Sequence, residues 1–224
     1  MATTYQFMSH HPDDATLMSF AAGSLPEPLA LIIATHCAVC SACAVEVKTM
    51  EQIGATLFAG LEPHGLTQPA PVMALRGLEA DVVSPAIGNS DHTGTASEIP
   101  HPLRDLIGHR LDDIPWQRLG LGVWHAPVLQ HKPTRGDVRL LRVEPGRTMP
   151  EHGHGGSELT MVLHGSYQDA IGRFGPGDVA DLDADVEHKP VADAHTGCIC
   201  IIASEKQAVF KGFFARLIQP LTGI

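Results

Sequence analysis

The 224-residue chain has no run of about eighteen apolar residues, so nothing in it reads as a membrane-spanning helix. Met1 to Ser9 is polar and lacks the basic-then-apolar pattern of a secretion signal, which points to a cytoplasmic protein. Basic residues are scarce: 15 Lys and Arg stand against 25 Asp and Glu, a formal net charge of −10. A chain this acidic is a poor match for a phosphate backbone, and no direct contact with nucleic acid is expected. The shortage is sharpest up to Pro85, where Lys48 and Arg76 are the only basic residues against eight acidic ones. Such a segment suits a basic protein partner, although solubility alone accounts for the charge equally well. Charged residues make up 18% and hydrophobic residues 44%, which excludes a disordered chain.

Cysteine is also sparse, but it is clustered. Cys37, Cys40 and Cys43 form one group, Cys198 and Cys200 a second. Without a secretion signal, disulfide stapling is the weaker reading, and Cys beside His in a cytosolic chain suggests metal.

The first third reads as helical. Asp13 or Asp14 can cap a helix through Leu17, Met18, Phe20 and Ala21 that ends at Gly23, and Pro26 or Pro28 can open a second carrying Leu29, Leu31, Ile32 and Ile33. A third pattern covers about Ala42 to Ala59, with Gly60 as its stop. From about Gly60 to Pro102, repeated prolines dissolve the periodicity; a short helix around Val72 to Val82 is possible within it. The last 120 or so residues alternate short apolar runs with Gly, Pro and Asp turns: Val138–Val143, Leu159–Leu163, Val179–Leu182, Cys198–Ala203 and Val209–Leu217. That spacing is the signal of an all-β barrel or sandwich. The expected organisation is a helical domain over 1–85, a linker over 86–102 and a β domain over 103–224.

Two constellations carry chemistry. The first is His36-x3-Cys40-x2-Cys43. On a continuous helix these positions share one face; if the helix breaks between Cys40 and Cys43, the two sulfurs still reach one ion. Zinc takes imidazole and thiolate in a tetrahedron, so three ligands leave one vacancy. His11 is the best candidate to fill it, with the neighbouring His10 able to substitute. Four protein ligands make such a site structural, since no position stays open for catalysis. It also serves a purpose, because a few short helices bury too little apolar surface to be robust and metal binding supplies folding free energy. Incidental buried cysteines and a redox Cys40/Cys43 pair are the alternatives. Cys37 falls off the zinc face and reads as packing or a spare thiol.

The second constellation runs from Gly146 to Gly165 as G-x5-H-x-H-x3-E-x6-G, placing His152, His154 and Glu158. On extended chain the two histidines face the same side, and Glu158 can return beside them on the next strand. This pattern matches the first cupin motif at every position. The turn Phe174-Gly175-Pro176-Gly177-Asp178 resembles the start of the second motif, whose histidine is taken as His188 in preference to His195 or His164. The connection to His188 is longer than in the cupin pattern. Three His and one carboxylate suit zinc, manganese, iron, nickel or cobalt. Cys198 and Cys200 share one face of a strand and read either as packing or as an oxidisable pair beside that metal.

With both motifs in this order, the chain resembles the ChrR family of anti-sigma factors. His10-His11, Ala21-Ala22-Gly23-Ser24-Leu25 and Ala34-Thr35-His36 resemble the family's zinc anti-sigma domain. Trp116-Gln117-Arg118-Leu119-Gly120 and Arg216-Leu217-Ile218-Gln219-Pro220 resemble its cupin. The resemblance implies a small zinc-bound helical bundle followed by a double-stranded β-helix, or jelly-roll, barrel. It implies a structural zinc on His11, His36, Cys40 and Cys43 and a divalent metal, zinc or another transition metal, on His152, His154, Glu158 and His188. It further implies sequestration of an extracytoplasmic-function sigma factor, released under singlet oxygen or organic hydroperoxide, and no enzymatic activity. A cupin metalloenzyme, a dioxygenase or isomerase with a helical appendage, is the alternative, but nothing in the sequence names a substrate or a positioned acid and base.

Overall fold

A computed structural model describes residues 5, 8–62, 64, 97–150, 152–153, 156–184, 186–206 and 209–210. The expected helix at 72–82, His154 and the chain beyond Phe210 lie outside them. Among the described residues no helix is long and apolar enough to cross a membrane.

Helix α1 spans Asp14–Ala21, and the Asp13 side chain caps it by accepting from the Thr16 amide at 2.6 Å. Helix α2 spans Glu27–Cys37 and begins after Pro26, with Pro28 in its first turn, where a missing N–H costs nothing. Helix α3 spans Ser41–Ala59 and stops at Gly60. The chain between His36 and Cys43 is not one continuous helix. Its break falls at Ala38 to Cys40, before the Cys-x2-Cys spacing and not within it, because Cys40 adopts extended backbone (φ −112°, ψ 101°). A short helix α4 spans Leu103–Ile107.

The remainder is antiparallel β structure. A six-stranded sheet has the order β1 (Gln117–Gly120), β2 (Val123–Pro127), β3 (Asp137–Val143), β11 (Cys198–Ser204), β5 (Glu158–Gly165), β8 (Val179–Leu182). Two three-stranded sheets complete the described β part. One is β10 (Val191–Ala192), β6 (Tyr167–Gln168), β7 (Arg173–Phe174); the other is β12 (Val209–Phe210), β4 (His152–Gly153), β9 (Glu187–His188).

The middle of the large sheet, β5 and β11, is buried on both faces, while the edge strand β1 is largely exposed. Val138, Leu140, Leu159, Met161, Leu163, Ile201 and Ala203 join Leu17, Leu29, Ile32 and Ile33 of the helices in one buried cluster. The alternate residues Leu141, Val143, Val162, Cys198 and Cys200 form a second cluster with Tyr167 and Phe174. Two covered faces explain why Leu159–Leu163 and Cys198–Ala203 read as near-continuous apolar runs, where a half-exposed strand alternates. Helix α2 lies against β11, β5 and β3. Its buried residues Leu29, Ile32, Ile33 and His36 recur at helical spacing, so a histidine ends an otherwise apolar stripe. Burial of each such aliphatic side chain stabilises the fold by about 1.5–3 kcal/mol. The last glycine of the first cupin-like motif, Gly165, has φ +72°, and a Cβ there would collide with the Gly197 carbonyl.

Candidate metal centres

His11, His36, Cys40 and Cys43 converge. One ligand atom from each lies within 4.8 Å of all the others. His11 Nδ1 is 3.4 Å from His36 Nε2, 3.5 Å from Cys40 Sγ and 3.4 Å from Cys43 Sγ, and His36 Nε2 is 3.3 Å from Cys43 Sγ. A ring nitrogen carries at most one proton or one lone pair, so three hydrogen bonds at His11 Nδ1 do not explain this crowding. An ion does. Zinc bonds of about 2.0 Å to nitrogen and about 2.3 Å to sulfur make a tetrahedron with edges of roughly 3.3 and 3.5 Å. The observed separations match those edges closely, so the donor set fits a zinc-sized ion in both chemistry and dimension.

Local structure explains the convergence. His36 ends the buried stripe of α2, Cys40 occupies the break, and Cys43 lies in the first turn of α3. His11 precedes α1 and is the one exposed member, which leaves a route for an ion on its side. Of the two adjacent histidines, His11 reaches the cluster. His10 instead packs against Phe174, with the rings tilted by 37° and their centroids 4.3 Å apart.

Protonation states follow from the surroundings. His36 Nδ1 lies 2.9 Å from the Gly177 carbonyl, which only accepts, so Nδ1 carries the proton and Nε2 presents a lone pair to the cluster. Burial is the main cause holding His36 below the usual histidine range, so the ring is neutral, as a ligand must be. Burial and the Cys40 thiol push Cys43 up to about 12 in the metal-free chain. Cys37 is half-buried and packs against the shared core; burial, with the Cys40 charge adding to it, raises it to about 11. It is not part of the cluster.

In the β domain, Glu158 opens β5 and His188 lies on β9. Both are buried and line one cavity of about 60 Å³ together with Cys198, Cys200, Tyr167 and Met149. The backbone of His152 on β4 pairs directly with that of His188. His188 Nδ1 is 3.1 Å from a carboxylate oxygen of Asp169, and both side chains are almost fully buried. The carboxylate accepts, so Nδ1–H donates and Nε2 carries the ring's lone pair. Asp169 is itself held by the amides of Ile171 and Gly172. Sequence reading missed Asp169, because its partner is 19 residues away and an acidic turn residue looks like ordinary turn chemistry. The Cys198 and Cys200 side chains share the cavity face, as the C-x-C spacing predicts. The Cys200 thiol is held well above its ordinary value by its hydrogen bond with Cys198 and by burial, so it stays a neutral thiol at neutral pH.

Comparisons agree with both halves. The ChrR cupin-like domain model matches residues 105–208. The chain is 36% identical over 213 residues to the anti-sigma-E factor ChrR of Cereibacter sphaeroides, covering 94% of this chain and 96% of that protein. It also matches a chain of the crystal structure of Rhodobacter sphaeroides SigE in complex with the anti-sigma ChrR. That match has a TM-score of 0.72 and 34% identity, over 88% of this chain and 99% of the other. With more than a third of residues identical across nearly the full length of both chains, the protein belongs to the ChrR family of anti-sigma factors.

Proposed function

We propose that this chain is a cytoplasmic anti-sigma factor that sequesters an extracytoplasmic-function sigma factor through its helical part, residues 1–85, and releases it when an oxidative signal reaches the cupin, residues 103–224, across a linker at 86–102. The signal is singlet oxygen or an organic hydroperoxide. A structural zinc on His11, His36, Cys40 and Cys43 holds the helices in their binding shape. A divalent metal on His152, His154, Glu158 and His188 belongs to the sensing half.

The observation that carries this reading is the exposed apolar length of α3. Only Cys43 and Val47 of its 19 residues are buried. Val45, Ile53, Leu57 and Phe58, with Leu61 just beyond, stand in the open, Leu57 at 69% and Phe58 at 77% exposure. Large apolar side chains left in water along a helix mark a docking surface. The named relative is an anti-sigma factor, and the matching solved complex holds SigE. The acidic balance of the helical part favours a basic, DNA-binding partner.

Release needs an oxidant-modified state with lower affinity for the sigma factor, since a signal that leaves both affinities equal shifts nothing. The test is co-expression with an extracytoplasmic-function sigma factor from the same organism, followed by size exclusion and metal analysis. Co-elution with zinc is expected from the unaltered chain and loss of co-elution from the Cys40→Ser, Cys43→Ser variant. A double variant that still co-elutes fully with the sigma factor overturns the reading.

A further inference from the structure

We propose that the cupin turn Gly175–Asp178 completes the amino-terminal metal centre, with Gly177 and Asp178 as positioning residues for His36 and His11. This rests on the reading that those histidines and the two cysteines hold an ion. The His36 ring is oriented by a carbonyl 141 residues away, that of Gly177, at 2.9 Å. The Asp178 carboxylate is buried and accepts from the Ser9 amide at 2.6 Å and the His10 amide at 3.0 Å. Its second oxygen accepts from the Gly175 amide at 2.8 Å, which closes the turn around the same side chain. The Val179 amide donates back to the His10 carbonyl at 3.1 Å. The two residues before His11 are thus clamped to the turn by three hydrogen bonds, and His11 is held in register with the cluster.

Packing repeats the arrangement. Gly177 has φ +92°, and a Cβ on it would press on the Met8 side chain. Phe174, at the start of the turn, lies between His10 at 4.3 Å and Tyr167 at 4.8 Å between ring centroids, and Tyr167 lines the cupin cavity. Nine residues before Asp178, Asp169 orients His188. One short stretch of the cupin, 169–178, therefore supports histidines of both candidate centres. Groups that orient metal-binding histidines typically change affinity 10–100-fold when removed. If the turn contributes that much to the first centre, anything that displaces it loosens the ion there, and by linkage occupancy of the first centre stabilises the turn.

The test uses the full chain loaded with cobalt(II). Cys198 and Cys200 line the cupin cavity, so the reference chain and every variant carry Cys198→Ala and Cys200→Ala, and thiolate-to-cobalt absorption then isolates the first centre. Competition with a chelator then gives its affinity. Asp178→Ala is expected to weaken cobalt binding at the thiolate site 10–100-fold, with Asp178→Asn intermediate and the circular dichroism unchanged. Should Asp178→Ala fail to fold, Asp178→Asn alone carries the test. Affinity within twofold of the reference chain, in whichever folded variant is measured, overturns the proposal. Absence of the thiolate band from the reference chain overturns instead the metal reading beneath it, and the proposal with it.

Discussion

His36 divides its two ring nitrogens between a sulfur-rich cluster and a cupin carbonyl. Cys43 contributes at the same scale, and its chemistry gives a pH prediction. Its thiol, ordinarily near 9.0, is pushed up to about 12 without metal, so it enters the site protonated. Each thiol that surrenders a proton on metal uptake makes affinity fall about tenfold per pH unit of acidification, which metal titrations at stepped pH will measure. The sign for the metal-free fold is the opposite. The folded chain keeps a proton that the unfolded chain releases, so this group's stabilisation is complete below about pH 9 and is lost as pH rises toward 12. Denaturant midpoints across that window are expected to drop for the metal-free chain. At the cupin, Asp169→Asn is expected to weaken metal retention by about tenfold, read by metal content after dialysis against a chelator. The candidate ligands were legible because ligand chemistry restricts both residue type and spacing. Their supports were not: Gly177 acts through a carbonyl that every residue possesses, and Asp178 acts on a segment 168 to 169 residues away.

At the scale of elements, α2 and α3 contrast. Helix α2 turns Leu29, Ile32 and Ile33 onto the sheet, and Ile33→Ala is expected to cost about 2–5 kcal/mol in denaturant unfolding. Helix α3 leaves Leu57 and Phe58 outside, so Leu57→Asp with Phe58→Asp should alter stability by only about 0.5 kcal/mol per site while abolishing co-elution with the sigma factor. The helix starts were readable from Asp13 and Pro26, and the stop of α3 from Gly60. The break before Cys43 was not, since residues 38–40 carry neither Gly nor Pro, and it is the extended backbone of Cys40 that ends the pattern. The strand core was readable from its apolar runs. Which residue faced the helices and which the cavity was not, because strands covered on both sides show no alternation.

At the scale of the molecule, the helices and the barrel share one buried cluster. Stability gained at the amino-terminal cluster therefore reaches the sheet on which α2 rests. Zinc that binds the folded chain alone is expected to raise the melting temperature in proportion to the logarithm of its free concentration, and a chelator to reverse it. Calorimetry across a zinc series measures this, and a melting temperature indifferent to zinc would contradict it. The bare apolar side chains of α3 have a different consequence, in the economy of the cell. A chain that keeps Ile53, Leu57 and Phe58 in water is a poor solitary species, prone to cling to its own copies or to draw chaperones and proteases. Its synthesis must then keep pace with that of the protein that covers it, and a surplus made alone will be cleared.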